Sequence, residues 1–172
     1  MSLFSFIIPL VMVVSAQEPQ GTFWDHIRQS SSAEECISVD YEFTSNISGV
    51  KAVGEGTVLV QGNAYHMKGN GLEIYCDGNS TWMIDEPARE VMIEAADSKD
   101  AGYLANPVIL LMNLEKSASS YKTDGNTITI ELTDGTVLEI VIKALKVMEK
   151  RKPEAFRPPV EFSSDWMVTD LR

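Results

Sequence analysis

At 172 residues the chain has the length of one domain, and 44% hydrophobic residues, with three Trp, five Tyr and six Phe, exclude wholesale disorder. Fourteen Lys and Arg against 25 Asp and Glu leave a net charge of -11, which nucleic acid and anionic membrane surfaces repel, so neither is expected as the main partner. Two Cys and two His, without an H-E-x-x-H or C-x-x-C pattern, supply no disulfide scaffold and little for a metal or redox site, so no cofactor is expected.

Leu3 to Val14 is uncharged and apolar, and it is too short to cross ~30 Å of hydrocarbon as a helix. The run ends in Val14-Ser15-Ala16, small residues at the two positions a signal peptidase reads. That pattern predicts secretion with cleavage after Ala16, making residues 1–16 a signal peptide and 17–172 one mature domain. With no Cys just after the run, lipid anchoring of the chain itself is not expected.

Thr22 can cap a helix running to about Glu35, with Phe23, Trp24 and Ile27 on one face. Alternation then takes over. Ile37, Val39, Tyr41 and Phe43 are apolar on one parity and Ser38, Asp40, Glu42 and Thr44 polar on the other, the mark of a half-buried strand. Similar runs follow at Gly56 to Val60, Ala64 to Lys68, Leu72 to Cys76, Ser80 to Ile84 and Arg89 to Glu94. Between them stand Gly62-Asn63, Gly69-Asn70-Gly71, Asp77-Gly78-Asn79 and Asp85-Glu86-Pro87, formers of tight turns. Strands joined by turns this short pair antiparallel, which excludes a doubly wound parallel sheet.

Ala101 to Leu114 is apolar almost all round, with Pro107 inside it, and predicts one helix or two short ones. Strands resume at Asn126 to Leu132, Thr136 to Lys143 and Leu145 to Lys150. Lys152 to Pro159, with three prolines, is extended, and Trp166 to Leu171 forms a last short strand. The fold class expected is α+β: one antiparallel meander sheet covered by the first helix and the central apolar segment.

About ten antiparallel strands in one sheet twist and curl, so one face becomes a hollow that must be filled or occupied. The parity taken as inward carries Val39, Tyr41, Phe43, Tyr65, Met67, Leu72, Ile74, Trp82, Ile84, Val91 and Ile93. A tight cover makes this an ordinary core. A loose one leaves an apolar cavity, for which the methionines at 67, 83, 92 and 112 offer an adaptable lining.

The stretch GEGTVLVQGNAYHMKGNGLEIYCDGNSTWMIDEPAREVMI resembles the central hairpins of the LolA family, carriers of outer-membrane lipoproteins. The marks are a G-x-G-x-x-x-V strand, the aromatic Tyr65 in the next, and Asp77-Gly78 followed by Trp82. Val39, Tyr41, Phe43 and Thr44 are similar to the family's first strand, Asn106 to Leu111 to its lid helix, and the ending Trp166 to Arg172 to LolA-like proteins of Bacteroidetes-type bacteria. The resemblance implies an incomplete β-barrel in which the residues named above, Leu72 apart, line a cavity for acyl chains, under a lid carrying Leu104, Ile109, Leu110 and Met112. It further implies a periplasmic, monomeric, non-enzymatic carrier whose partners are acylated lipoproteins, an inner-membrane exporter and an outer-membrane acceptor. Where the family has an arginine that bonds the lid, this chain has Gln61, whose amide can accept or donate without charge assistance; Gln61 is the lid-coupling candidate.

A sensor or interaction domain of the same architecture, docking a protein through a sheet edge or its acidic face, is the alternative. A hydrolase would need a base and a nucleophile. His66 lies on the outward parity and His26 in the first helix, and no G-x-S-x-G motif partners either. Cys36 and Cys76 fall on the first and fourth strands, three spacings of ~4.8 Å apart and on opposite parities, whereas a disulfide needs Cα atoms within ~7 Å; they are expected to stay free.

Overall fold

Residues 34–47, 50–69, 71–96, 118–159 and 162–172 are described by the computed structural model. The alternation beginning at Ile37 becomes β1 (Glu35–Ile47), which runs antiparallel to β2 (Val50–Gln61), with Ile37 opposite Val60 and Phe43 opposite Gly54. Four short strands follow by hairpins: β3 (Ala64–Gly69), β4 (Leu72–Cys76), β5 (Ser80–Asp85) and β6 (Glu90–Ala95). Gly62 and Gly78 hold φ of 58° and 90°, the left-handed backbone that these tight turns require. A second meander, β7 (Ala118–Asp124), β8 (Thr127–Leu132) and β9 (Val137–Glu149), docks on the free edge of β1 through β9. After the 3-10 turn Pro153–Phe156, β10 (Met167–Asp170) joins β6 in parallel. The ten strands form one open sheet in the order β10-β6-β5-β4-β3-β2-β1-β9-β8-β7.

The α+β expectation is corrected by this sheet: among the described residues there is no α-helix, and they form an all-β arrangement. Glu35, expected to end the first helix, instead opens β1, because Cys36 and Ile37 already pair with Met148 and Val147 of β9. Residues 22–33 of that helix and the whole of the lid, Leu104, Ile109, Leu110 and Met112 included, lie outside the described residues, as do residues 1–16. The purely antiparallel meander is corrected too. It splits into two meanders joined by β1 and β9, and β10 pairs parallel.

Two expected strands, Thr136 to Lys143 and Leu145 to Lys150, are the single strand β9. Its register against β1 slips at Lys143: Asp40 faces Ala144 while Tyr41 faces Ile142. The apolar parity therefore shifts from Leu138, Ile140 and Ile142 to Leu145 and Val147 without the strand ending, the signature of a β-bulge. The displaced Lys143 side chain reaches Glu42 at 2.8 Å.

The main core lies on one face of the sheet. Val39, Val58, Ile128, Ile130, Ile140 and their neighbours from β1 to β4, β8 and β9 are all but fully buried, each such side chain contributing about 1.5–3 kcal/mol. Cys36 and Cys76 are both buried and free, on β1 and β4 as the strand count requires. Among the described residues no helix is long and apolar enough to cross a membrane.

Candidate functional site

Residues paired across neighbouring strands share a face, so the register alone assembles rows of side chains. One row crosses seven strands: Leu145 (β9), Val39 (β1), Val58 (β2), Met67 (β3), Ile74 (β4), Met83 (β5) and Met92 (β6). Every member is apolar. Leu145 is half-buried, Val39 and Val58 are 0% exposed, and from there exposure rises through 2% at Met67 and 3% at Ile74 to half-buried Met83 and 38% at Met92. The row is closed in the middle of the sheet and open at β6, and its open end is built from flexible thioether side chains.

The rows on either side frame it. Toward one end of the strands stand Val147, Ile37, Val60, Tyr65, Cys76, Thr81 and Glu94. Toward the other stand Ile142, Tyr41, Gly56, Gly69, Leu72, Asp85 and Glu90. Both turn polar beyond β4. Tyr41 lies over Gly56, where an added Cβ would stand 2.7 Å from its hydroxyl oxygen, so the glycine makes room for the ring. Burial pushes the Tyr41 hydroxyl up to about 12 and raises that of Tyr65, where Cys76 and Glu94 add to the effect and Thr81 opposes it. Both rings are neutral parts of the lining at any physiological pH. Phe43 is half-buried against the same cluster, its ring centroid 6.4 Å from that of Tyr41.

The ten residues expected to line one cavity are divided between two faces. Val39, Tyr41, Phe43, Tyr65, Met67 and Ile74 share the main face. Trp82, Ile84, Val91 and Ile93 do not: Ile74 pairs with Met83, whereas Trp82 pairs with Tyr75 and Ile93, and Ile84 with Val91. Those four, with Tyr75, form a second cluster on the opposite face, closed by Phe162 and Trp166 from the C-terminal segment. Met83 and Met92 take their places on the main face. In β5 and β6 both parities are apolar, so bulk pointed the wrong way; the paired aromatics Phe162 and Trp166 were the signal that a second face needed covering.

Gln61 bonds neither face. Its side chain accepts from the Arg151 amide at 2.7 Å and donates to the Arg151 carbonyl at 3.2 Å, pinning the end of β2 to the chain that leaves β9. Asp77 organises the β4–β5 turn, accepting from the amides of Asn79 and Ser80 at 2.9 Å each and from Arg157 at 2.6 Å. Burial works to raise its carboxyl, but the two amides and Arg157 outweigh that and hold it below the usual range.

On the second face His66 stacks on Tyr75 with ring centroids 4.1 Å apart, and both contact one oxygen of Glu73 at 2.8 Å. Burial opposes the charge on Glu73, yet the bonds from Tyr75 and His66, with Lys68 nearby, keep its carboxyl lower than normal. Among the described residues no group of three or more His, Cys, Asp or Glu could hold a metal ion.

No family model matches the sequence, and no curated protein matches it. Among solved structures, the chain is similar to a LolA superfamily protein from Nitrosomonas europaea, with a TM-score of 0.52 at 10% identity, over 81% of this chain and 97% of that one. The likeness is one of fold: an open sheet similar to that of this LolA superfamily protein.

Proposed function

We propose that this protein is a non-enzymatic periplasmic carrier that shelters the acyl chains of lipoproteins on the apolar face of its sheet, between an inner-membrane exporter and an outer-membrane acceptor. The observation that carries the reading is the row from Leu145 to Met92: a continuous apolar track across seven strands, closed in the middle of the sheet and most open at Met92. An acyl chain laid along it gains ~0.8 kcal/mol per CH₂ removed from water, so partial shelter suffices for a soluble carrier. Thioethers at the open end adapt to tails of different length and unsaturation. The likeness in fold to a LolA superfamily protein, and the resemblance of residues 54–93 to the central hairpins of that family, support the same reading.

The test is retention of a synthetic triacylated lipopeptide by the mature protein. The wild-type protein is expected to hold it in solution against the competing delipidated peptide, and Ile74→Asp, which places a carboxylate in the row, is expected to lose it. Equal binding of both peptides, or unchanged retention by a folded Ile74→Asp variant, would overturn the assignment.

A further inference from the structure

Strands β5 and β6 carry apolar side chains on both faces. Met83 lies between Trp82 and Ile84, and Met92 between Val91 and Ile93, so the open end of the apolar row is backed through one layer of backbone by the second cluster. Among the described residues no second sheet packs on that cluster. Its cover is Phe162 and Trp166, whose ring centroids lie 5.3 Å apart at an angle of 55°. The same segment is fastened to the β5–β6 hairpin at several points. Arg89 pairs with Asp165, the Met167 amide bonds the Arg89 carbonyl at 2.9 Å, and the Leu171 amide bonds the Ile93 carbonyl at 2.8 Å. Arg172 reaches the Ser80 hydroxyl at 3.3 Å. Arg89 itself stands at φ 55°, a left-handed conformation rare for a residue with a side chain. Here it delivers both its carbonyl and its guanidinium to the segment.

β5 and β6 are six residues each, and among the described residues the one strand beyond them is four-residue β10. Two short strands at the edge of a sheet hold their position only as firmly as what packs on them, and local opening starts at such edges. We propose that the C-terminal segment is a brace: Trp166, acting through Trp82, Ile84, Val91 and Ile93, is a positioning residue that fixes β5 and β6 and so sets how fast an acyl chain enters and leaves at Met83 and Met92 on the other face. The exchange function rests on the carrier reading above; the bracing does not. Release would be controlled from the side of the sheet that the ligand never touches.

Amide hydrogen exchange and probe release, measured together on the full mature protein, separate the two. In Trp166→Ala, amides of β5 and β6 are expected to exchange about tenfold faster or more, with those of β1 and β9 unchanged. Release of a dansyl-labelled undecanoyl probe is expected to quicken about fivefold, with Trp166→Phe close to wild type. Asp165→Asn, a milder cut at the Arg89 pair, gives a smaller acceleration of both and guards against failure of the alanine variant to fold. Wild-type exchange at β5 and β6 in Trp166→Ala, or faster exchange spread equally over β1 and β9, overturns the brace. Faster exchange at β5 and β6 with unchanged probe release overturns the coupling. Absence of probe binding to the wild-type protein defeats the carrier reading and with it the exchange role, while the hydrogen-exchange result still decides the brace.

Discussion

Two apolar clusters lie back to back on the β4–β6 end of one sheet, and they differ in what closes them. The second cluster is sealed by its own chain: Tyr75, Ile84, Val91 and Ile93 are all under 10% exposed beneath Phe162 and Trp166. The first grades outward along a row of paired residues until Met92 stands 38% exposed. A surface covered by aromatic side chains of fixed geometry is a core. One that ends in exposed, flexible methionines is suited to an occupant that comes and goes. The same strands serve both, because successive residues point to opposite faces.

Substitutions at neighbouring positions can break or sharpen that contrast. The largest effect is expected in the closed middle of the first face, where Ile140, 1% exposed, packs among Phe43, Ile128 and Ile142. Ile140→Ala should lower the free energy of unfolding by about 2–5 kcal/mol in denaturant titrations, whereas Val168→Ala on β10 should stay within about 0.5 kcal/mol.

Asp77 comes next. Its folded carboxyl is depressed below its unfolded value, so its stabilisation is present above the unfolded range near pH 4 and is lost as pH falls through the folded value. Asp77→Asn should cost about 2 kcal/mol at neutral pH and flatten the fall in stability between about pH 5 and about pH 3, read from denaturation midpoints. An equally steep fall in the variant would assign the acid sensitivity to other carboxylates such as Glu73.

Smaller effects separate the faces themselves. Tyr75→Phe removes one of the two bonds to Glu73 and is expected to cost about 1 kcal/mol while leaving acyl binding unchanged, although Tyr75 adjoins Ile74 in the chain. Gln61→Leu removes both bonds to the Arg151 backbone and should cost about 1 kcal/mol, with the loss confined to amides near the end of β2 and residues 151–157.

Much of the sheet was legible in local pattern. Alternation in β1 and glycines at Gly62 and Gly78 placed strands and turns without tertiary information, and the parity of Val39, Tyr41, Tyr65, Met67 and Ile74 put them on one face. Three features were not legible. In β5 and β6 the sequence is apolar on both parities, so periodicity holds no choice of face; the turn that sets Cys76 opposite Thr81 makes it. In β9 the parity slip at Lys143 reads as the end of one strand and the start of another, and only pairing with β1 identifies it as a bulge. Parallel docking of β10 on β6 is a long-range event with no local sign. The trace it leaves is compositional: two aromatics, Phe162 and Trp166, in a segment otherwise rich in proline and charge.

The most direct measurement of the central claim is photo-crosslinking of a diazirine-bearing palmitoyl chain to the mature protein, with adducts mapped by peptide mass spectrometry. Adducts are expected on Met67, Ile74, Met83 and Met92, and none on Tyr75, Trp82 or Ile84. Labelling concentrated on the second cluster, or no labelling of the methionine row at saturating probe, would contradict the account.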